Sequence, residues 1–294
     1  MQKAGAVPGR HGGRLETLDL LRGLTLISMI IYHGMWDFLY LSDSGASFTA
    51  LRTWYEGTGG HLWQQSICRT FILLSGFCVP FSRRIFRRGL EVSAGGIAVS
   101  AVTVIALYED RVLFGVLSFL GAAMLVSGLL EHFFAGGLKN DPESGLKRQL
   151  TGAAVCLFLF HVTRWINHGY LRLGPWIRLN LPAGLYTFGS GAFPGYVLTG
   201  LGFPMRDFFS TDYFSFLPWF FLFRAGFFLN RVLAAAGSGA EAGGGTENTQ
   251  SGNRIYDSPL FHLKLPFLNL IGRHSLPVYL LHQPLLYLLT SFLF

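Results

Sequence analysis

Near its start the chain carries four ionisable groups inside one apolar run: Asp19, Arg22, His33 and Asp37. Arg22 and His33 stand eleven residues apart. On a helix that spacing is about three turns, so both side chains return to one face within ~20° and lie ~16 Å apart along the axis. A guanidinium suits an anion, and an imidazole can take a proton from a hydroxyl or amine. Asp37 lies one turn beyond His33, where a carboxylate can hold the imidazole tautomer. Asp19 lies one turn before Arg22. The plainer alternative is that Asp19 merely neutralises Arg22 and that His33 is a satisfied hydrogen-bonding residue between helices. A second histidine closes the run Leu276-Pro277-Val278-Tyr279-Leu280-Leu281-His282, followed by Gln283 and Pro284. Ser275 and His282 are seven apart and therefore nearly aligned, while Tyr279 and Gln283 also suit anchors at a membrane boundary. The catalytic candidates are thus His33, Asp37 and His282. Arg22, Arg69 and Arg273 are the candidates for binding an anion, and no metal-ligand set stands out.

These residues need elements that can carry them, and composition says which. Hydrophobic residues make up 51% of the 294 and charged residues 13%, against ~25% in an ordinary soluble chain, with a mean hydropathy of +0.41. Too few charges remain to coat a water-soluble surface, and the apolar letters fall in blocks of about twenty, the length that crosses a bilayer. The expected fold is all-α: a polytopic bundle of about seven transmembrane helices at 18–40, 62–81, 90–108, 112–134, 150–166, 213–234 and 265–294. Three prolines in the last window predict a kinked or tilted helix. The glycine-rich stretch 181–204 predicts an ordered outer loop or re-entrant segment, with an eighth span as the alternative. Residues 1–16 are expected to form a tail and 235–263 a flexible linker, both cytoplasmic, on a single transmembrane domain.

The net charge of +7 would suggest nucleic acid in a soluble domain, but here Lys and Arg cluster at the ends of apolar blocks. Thirteen of them collect on one side and six on the other, which predicts a cytoplasmic N-terminus and an outer C-terminus in the cell membrane. Four remain within the spans: Arg22, Arg69, Arg224 and Arg273. An arginine in hydrocarbon needs a partner, a wet cavity or a bound anion. Arg83, Arg84, Arg87 and Arg88 are first a topology signal. Cys68, Cys78 and Cys156 match no zinc or redox spacing and read as buried thiols. The first run lacks a small-residue cleavage site, so it is expected to stay in place. No repeat suggests inverted transporter halves, although a transporter or flippase using the same buried Arg and His is the rival function.

Five stretches together resemble bacterial members of the heparan-alpha-glucosaminide N-acetyltransferase catalytic-domain family, within a wider superfamily of transmembrane acyltransferases that includes acyltransferase family 3. They are Leu18-Asp-Leu-Leu-Arg22-Gly with His33 and Asp37; Phe71-Ile-Leu-Leu-Ser75-Gly76-Phe77; Asp212-Tyr-Phe-Ser-Phe-Leu-Pro218-Trp219-Phe220; Leu270-Ile-Gly-Arg273-His274-Ser275-Leu276; and Tyr279-Leu-Leu-His282-Gln283-Pro284. The resemblance implies transfer of an acetyl or other acyl group from cytoplasmic acyl-CoA to a sugar hydroxyl or amine, with the lipid bilayer, the donor and a glycan or amino-sugar acceptor as partners. It also implies the functional arginine and histidine of that superfamily at Arg22 and His33. Ser118 stands where many bacterial relatives have a histidine. Lysosomal members have asparagine in place of His33 and use a histidine farther along, for which His61 is the one available residue.

Overall fold

The computed structural model describes residues 15–41, 47–134, 142–187, 193–239 and 255–293. Within them the regular elements are helices apart from one small hairpin. The elements are α1 (Glu16–Leu41), α2 (Thr49–Glu56), α3 (Thr58–Phe77), α4 (Ile85–Ala106), α5 (Val116–Phe134), α6 (Pro142–Thr163), β1 (Tyr170–Leu173), β2 (Ile177–Asn180), α7 (Phe193–Leu201), α8 (Phe216–Gly239), α9 (Pro266–Arg273) and α10 (Ser275–Leu293). Among the described residues, five segments are long and apolar enough to cross a membrane: Ile85–Ala106, Val116–Phe133, Gly145–His168, Phe216–Gly237 and Ser275–Leu293. α1 and α3, with 26 and 20 residues, match the first two expected spans in length but are not among these five; α1 carries Asp19, Arg22, His33 and Asp37, and α3 carries His61, Gln64, Gln65 and Arg69. In the 181–204 stretch the described residues form a single-turn 3-10 segment and α7, whose nine residues reach ~14 Å, too short to cross a bilayer. The expected tail up to residue 14 and the linker at 240–254 lie outside the described residues.

The chain divides into two compact units, Met1–Leu74 with Ala236–Phe294, and Ser75–Ala235. In the first, the expected single last helix is two. The break falls at His274, with Pro266 in the first turn of α9 and Pro277 in the first turn of α10. The break has a sequence logic: a helix's first turn has unpaired N–H groups, so proline costs little there and much more farther in. Of these three prolines only Pro284 lies past the first turn of its helix. α9 docks on α1 through two glycines. A Cβ on Gly23 would lie 2.0 Å from the carbonyl oxygen of Leu268, and one on Gly272 only 1.8 Å from that of Asp19. Lipid tails are as apolar as leucine, so helices associate in a bilayer through such close small-residue packing. Asn269 adds a polar clamp, donating from Nδ2 to the Glu16 carbonyl at 2.6 Å and accepting the Leu265 amide at 2.7 Å.

In the second unit α4 and α5 pack by the same device. Gly96 faces Ser118, and Gly121 faces Ser93. Gly76 lies against the Phe223 carbonyl of α8, and Asn230 of α8 donates to the Phe77 carbonyl at 3.0 Å. The Ser75-Gly76-Phe77 stretch is therefore a helix-crossing point. Asp212 accepts the amide of Val116 at 3.2 Å, the first residue of α5, satisfying one of the donors that a helix start leaves unpaired. No disulfide forms: Cys156 is buried, while Cys68 and Cys78 are half-buried rather than fully enclosed.

Candidate functional site

α1 is unbroken from Glu16 to Leu41, so the eleven-residue interval from Arg22 to His33 is the ~16 Å, one-face separation that helical geometry demands. The two halves of the last segment then serve the two ends of α1 separately. α9 meets the Arg22 end and α10 the His33 end.

At the first end Asp19 is 2% exposed, and two guanidiniums converge on it. Arg22 Nη1 lies 3.0 Å from one carboxylate oxygen and Arg273 Nε 3.7 Å from the other. Arg22 also donates to the Gly272 carbonyl at 3.2 Å, satisfying one of the acceptors left unpaired where α9 ends. Arg273 is 43% exposed, so it keeps access to whatever anion approaches. Just before this cluster, Glu16 binds His262 Nδ1 at 2.8 Å and Lys264 Nζ at 3.3 Å. The His262 hydrogen bond, with Lys264 helping and desolvation opposing, holds the Glu16 carboxyl down at about 2, well below its ordinary 4.5. His262 Nε2 meets the carbonyl of Tyr256 at 3.1 Å, and burial pushes the Tyr256 phenol up to about 12.

At the other end the rings of His33 and His282 lie 5.2 Å apart at 59°. His282 Nδ1 sits 2.5 Å from the Tyr279 carbonyl. A carbonyl only accepts, so Nδ1 carries the proton and Nε2 of the neutral ring carries the lone pair. That Nε2 is buried and has no hydrogen-bond partner among the described residues. Tyr279 itself packs on His282, with ring centroids 5.4 Å apart, and stacks on Phe71 of α3. On α1, Tyr32 stacks on Tyr55 at 4.7 Å and meets Trp63 edge-on, while Trp63 Nε1 donates to Ser28 at 2.8 Å. α2 and α3 thus wall this stretch of α1 with aromatic rings.

Sequence spacing assigns the Asp37 carboxylate to His33; the structure gives it to Gln283. Asp37 is fully buried, its Oδ1 accepts from Gln283 Nε2 at 3.2 Å, and its Oδ2 has no partner among the described residues. Gln283, read from sequence as an anchor, is a member of the site. His33, Asp37 and His282 are brought together, as are Arg22 and Arg273. Arg69 donates to Gln65 one turn earlier on α3 at 3.2 Å. Arg224, the remaining intramembrane arginine, finds its counter-charge in Glu131 at 3.4 Å and lies over the Phe227 ring, a structural role in the second unit. Asp19 is legible from sequence as a counter-ion to Arg22, but nothing in the letters says that Arg273 shares it or that Gly23 and Gly272 mark where two helices meet.

Among known families, the model described as "Heparan-alpha-glucosaminide N-acetyltransferase, catalytic" matches residues 14–139 and 150–284. Both ends of the α1 constellation, from Arg22 and Arg273 to His33 and His282, fall within these stretches. No curated protein and no solved structure gives a match.

Proposed function

The chain belongs to the heparan-alpha-glucosaminide N-acetyltransferase catalytic family, and from that premise we propose a membrane-embedded acyltransferase that moves an acetyl or other acyl group from cytoplasmic acyl-CoA to a sugar hydroxyl or amine on the outer side. Seven spans, with α1 and α3 joining the five most apolar segments, a cytoplasmic N-terminus and a place in the cell membrane complete the proposal, on the distribution of Lys and Arg. The fit to an anionic donor rests on Asp19: one carboxylate is shared by two guanidiniums, and the more exposed of them, Arg273, is open to phosphate. Arg22 fixes that cluster and Arg69 is the third cation assigned to the donor.

The observation that carries the reading is the paired imidazoles. His282, its tautomer set by the Tyr279 carbonyl, presents a buried lone pair beside His33. In the reaction the acceptor oxygen or nitrogen bonds to the acyl carbon as the thioester C–S bond breaks. The acceptor proton passes to a ring nitrogen of the pair and from there to the departing thiolate. Asp37, held by Gln283, supplies negative charge near the pair when a ring is protonated.

Vesicles containing the purified protein, given labelled acetyl-CoA on one side and a panel of glycans and amino sugars on the other, test this. Label appearing on a sugar only when donor and acceptor occupy opposite sides is the expected result. Passage of unmodified sugar without label transfer would overturn it.

A further inference from the structure

The hairpin that follows α6 has a surface that the proposed chemistry does not use. The candidate span Gly145–His168 ends two residues before β1 begins, and Gly169, at φ 83°, makes the turn between them. The base is fixed to the helix end: Tyr170 stacks on Trp165 with ring centroids 5.9 Å apart, and Leu181 returns to donate to the Gly169 carbonyl at 2.8 Å. The antiparallel register pairs Tyr170 with Asn180, Leu171 with Leu179, Arg172 with Arg178, and Leu173 with Ile177. Side chains alternate across a strand, so one face carries Tyr170, Arg172, Arg178 and Asn180, and the other is wholly apolar.

That apolar face lacks cover. Leu173, Ile177 and Leu179 are 42%, 57% and 61% exposed, and Trp176 at the turn is 91% exposed. On the opposite face two arginines stand directly across from each other, a like-charge pairing that weakens a hairpin unless an anion meets it. Arg178 also lies 3.9 Å over the Tyr170 ring. Exposed leucines and isoleucine, a tryptophan at the tip and paired arginines suit a boundary between acyl chains and phosphate headgroups, and the hairpin is tied to a helix that ends at such a boundary.

We propose that the β1–β2 hairpin lies in the phospholipid interface of the leaflet where α6 ends, with Leu173, Trp176, Ile177 and Leu179 immersed and the Arg172–Arg178 pair bound to lipid phosphate. The docked hairpin holds the outer end of α6 at fixed depth.

The test is a nitroxide scan over residues 171–173 and 176–179 in a chain with Cys68, Cys78 and Cys156 replaced by alanine. The protein is placed in vesicles of phosphatidylcholine and phosphatidylglycerol, and collisions with oxygen and with a water-soluble nickel chelate are compared. The expected oxygen-to-nickel ratio is at least threefold higher at 173, 176, 177 and 179 than at 172 and 178. Equal ratios at all positions, as for a hairpin in water, would overturn the proposal. So would exclusion of both reagents from 173, 177 and 179, which would put protein, such as a second copy, over the apolar face. With Arg172→Gln and Arg178→Gln together, the ratio at 176 falls at least twofold; no change refutes phosphate as the partner of the pair. Immobilisation at 176 by soluble glycan in detergent, with no dependence on lipid, refutes the membrane as occupant.

Discussion

The Tyr279 carbonyl fixes which nitrogen of His282 bears the proton, and under the proposed function that leaves Nε2 to take the acceptor's proton. Removing either imidazole from a general-base pair costs on the order of 10²–10⁴ in rate. His282→Gln and His33→Ala are each expected to lower acyl transfer at least a hundredfold while labelled donor still binds, which rapid-mixing and equilibrium-binding measurements on the purified variants check. Near-normal turnover in His282→Gln would remove that residue from the chemistry. Gln283 is expected to matter through Asp37. Gln283→Leu leaves a fully buried carboxylate without its donor and should cost about 1–3 kcal/mol, whereas Asp37→Leu combined with Gln283→Leu should recover most of that loss. Thermal unfolding of the two single variants and the double variant measures the coupling. At this scale the sequence was informative about residue types and less so about partners. Eleven-residue spacing puts Arg22 and His33 on one face of any helix, but the Asp37–Gln283 bond joins residues 246 positions apart, and no periodicity within one helix contains it.

Elements here are held by backbone proximity. Gly272 leaves no room for a methyl group, because the obstruction is the carbonyl of Asp19 rather than a side chain that can swing away. Gly272→Ala must force α9 off α1, at a cost of about 1–3 kcal/mol or more, and should lower both the melting temperature and donor affinity. Ala at Gly145, where a Cβ meets nothing, is the matched control and should leave both unchanged. Helix lengths and apolar blocks made most elements readable in advance. The last segment was misjudged because three prolines suggest a kink, while their helical positions, which only the folded chain reveals, place two of them at helix starts and the break at His274. Ser118 shows the same limit. The structure packs it against Gly96 within the α4–α5 crossing, a placement that residue type and spacing do not reveal.

For the whole molecule, two outcomes follow from charge. The Glu16 carboxyl titrates at about 2 in the folded chain and near 4.5 when free, so its ties to His262 and Lys264 stabilise the fold fully above pH 4.5 and fade as pH falls from there to 2. The melting-temperature gap between the native chain and Glu16→Gln should therefore be widest above pH 4.5 and close at lower pH; a gap constant across that window would contradict the clasp. The imbalance of Lys and Arg predicts that a membrane-impermeant maleimide reaches Arg178→Cys in intact cells and Arg88→Cys only after lysis, and reversed labelling would invert the orientation. Composition alone sufficed for a helical membrane protein. The boundary between the two units, inside α3 and α8, follows from packing and leaves no trace in the letters.

The interruption at His274 divides one apolar segment into two separately seated helices, one beside the arginines and one beside the histidines. Under the proposed function, capture of donor and group transfer would then fall to adjacent stretches of chain. If that proposal holds, changes on the surface of α9 should shift KM for acyl-CoA and changes beside His282 should shift kcat, so the site could accept a new acyl donor without a rebuilt transfer step.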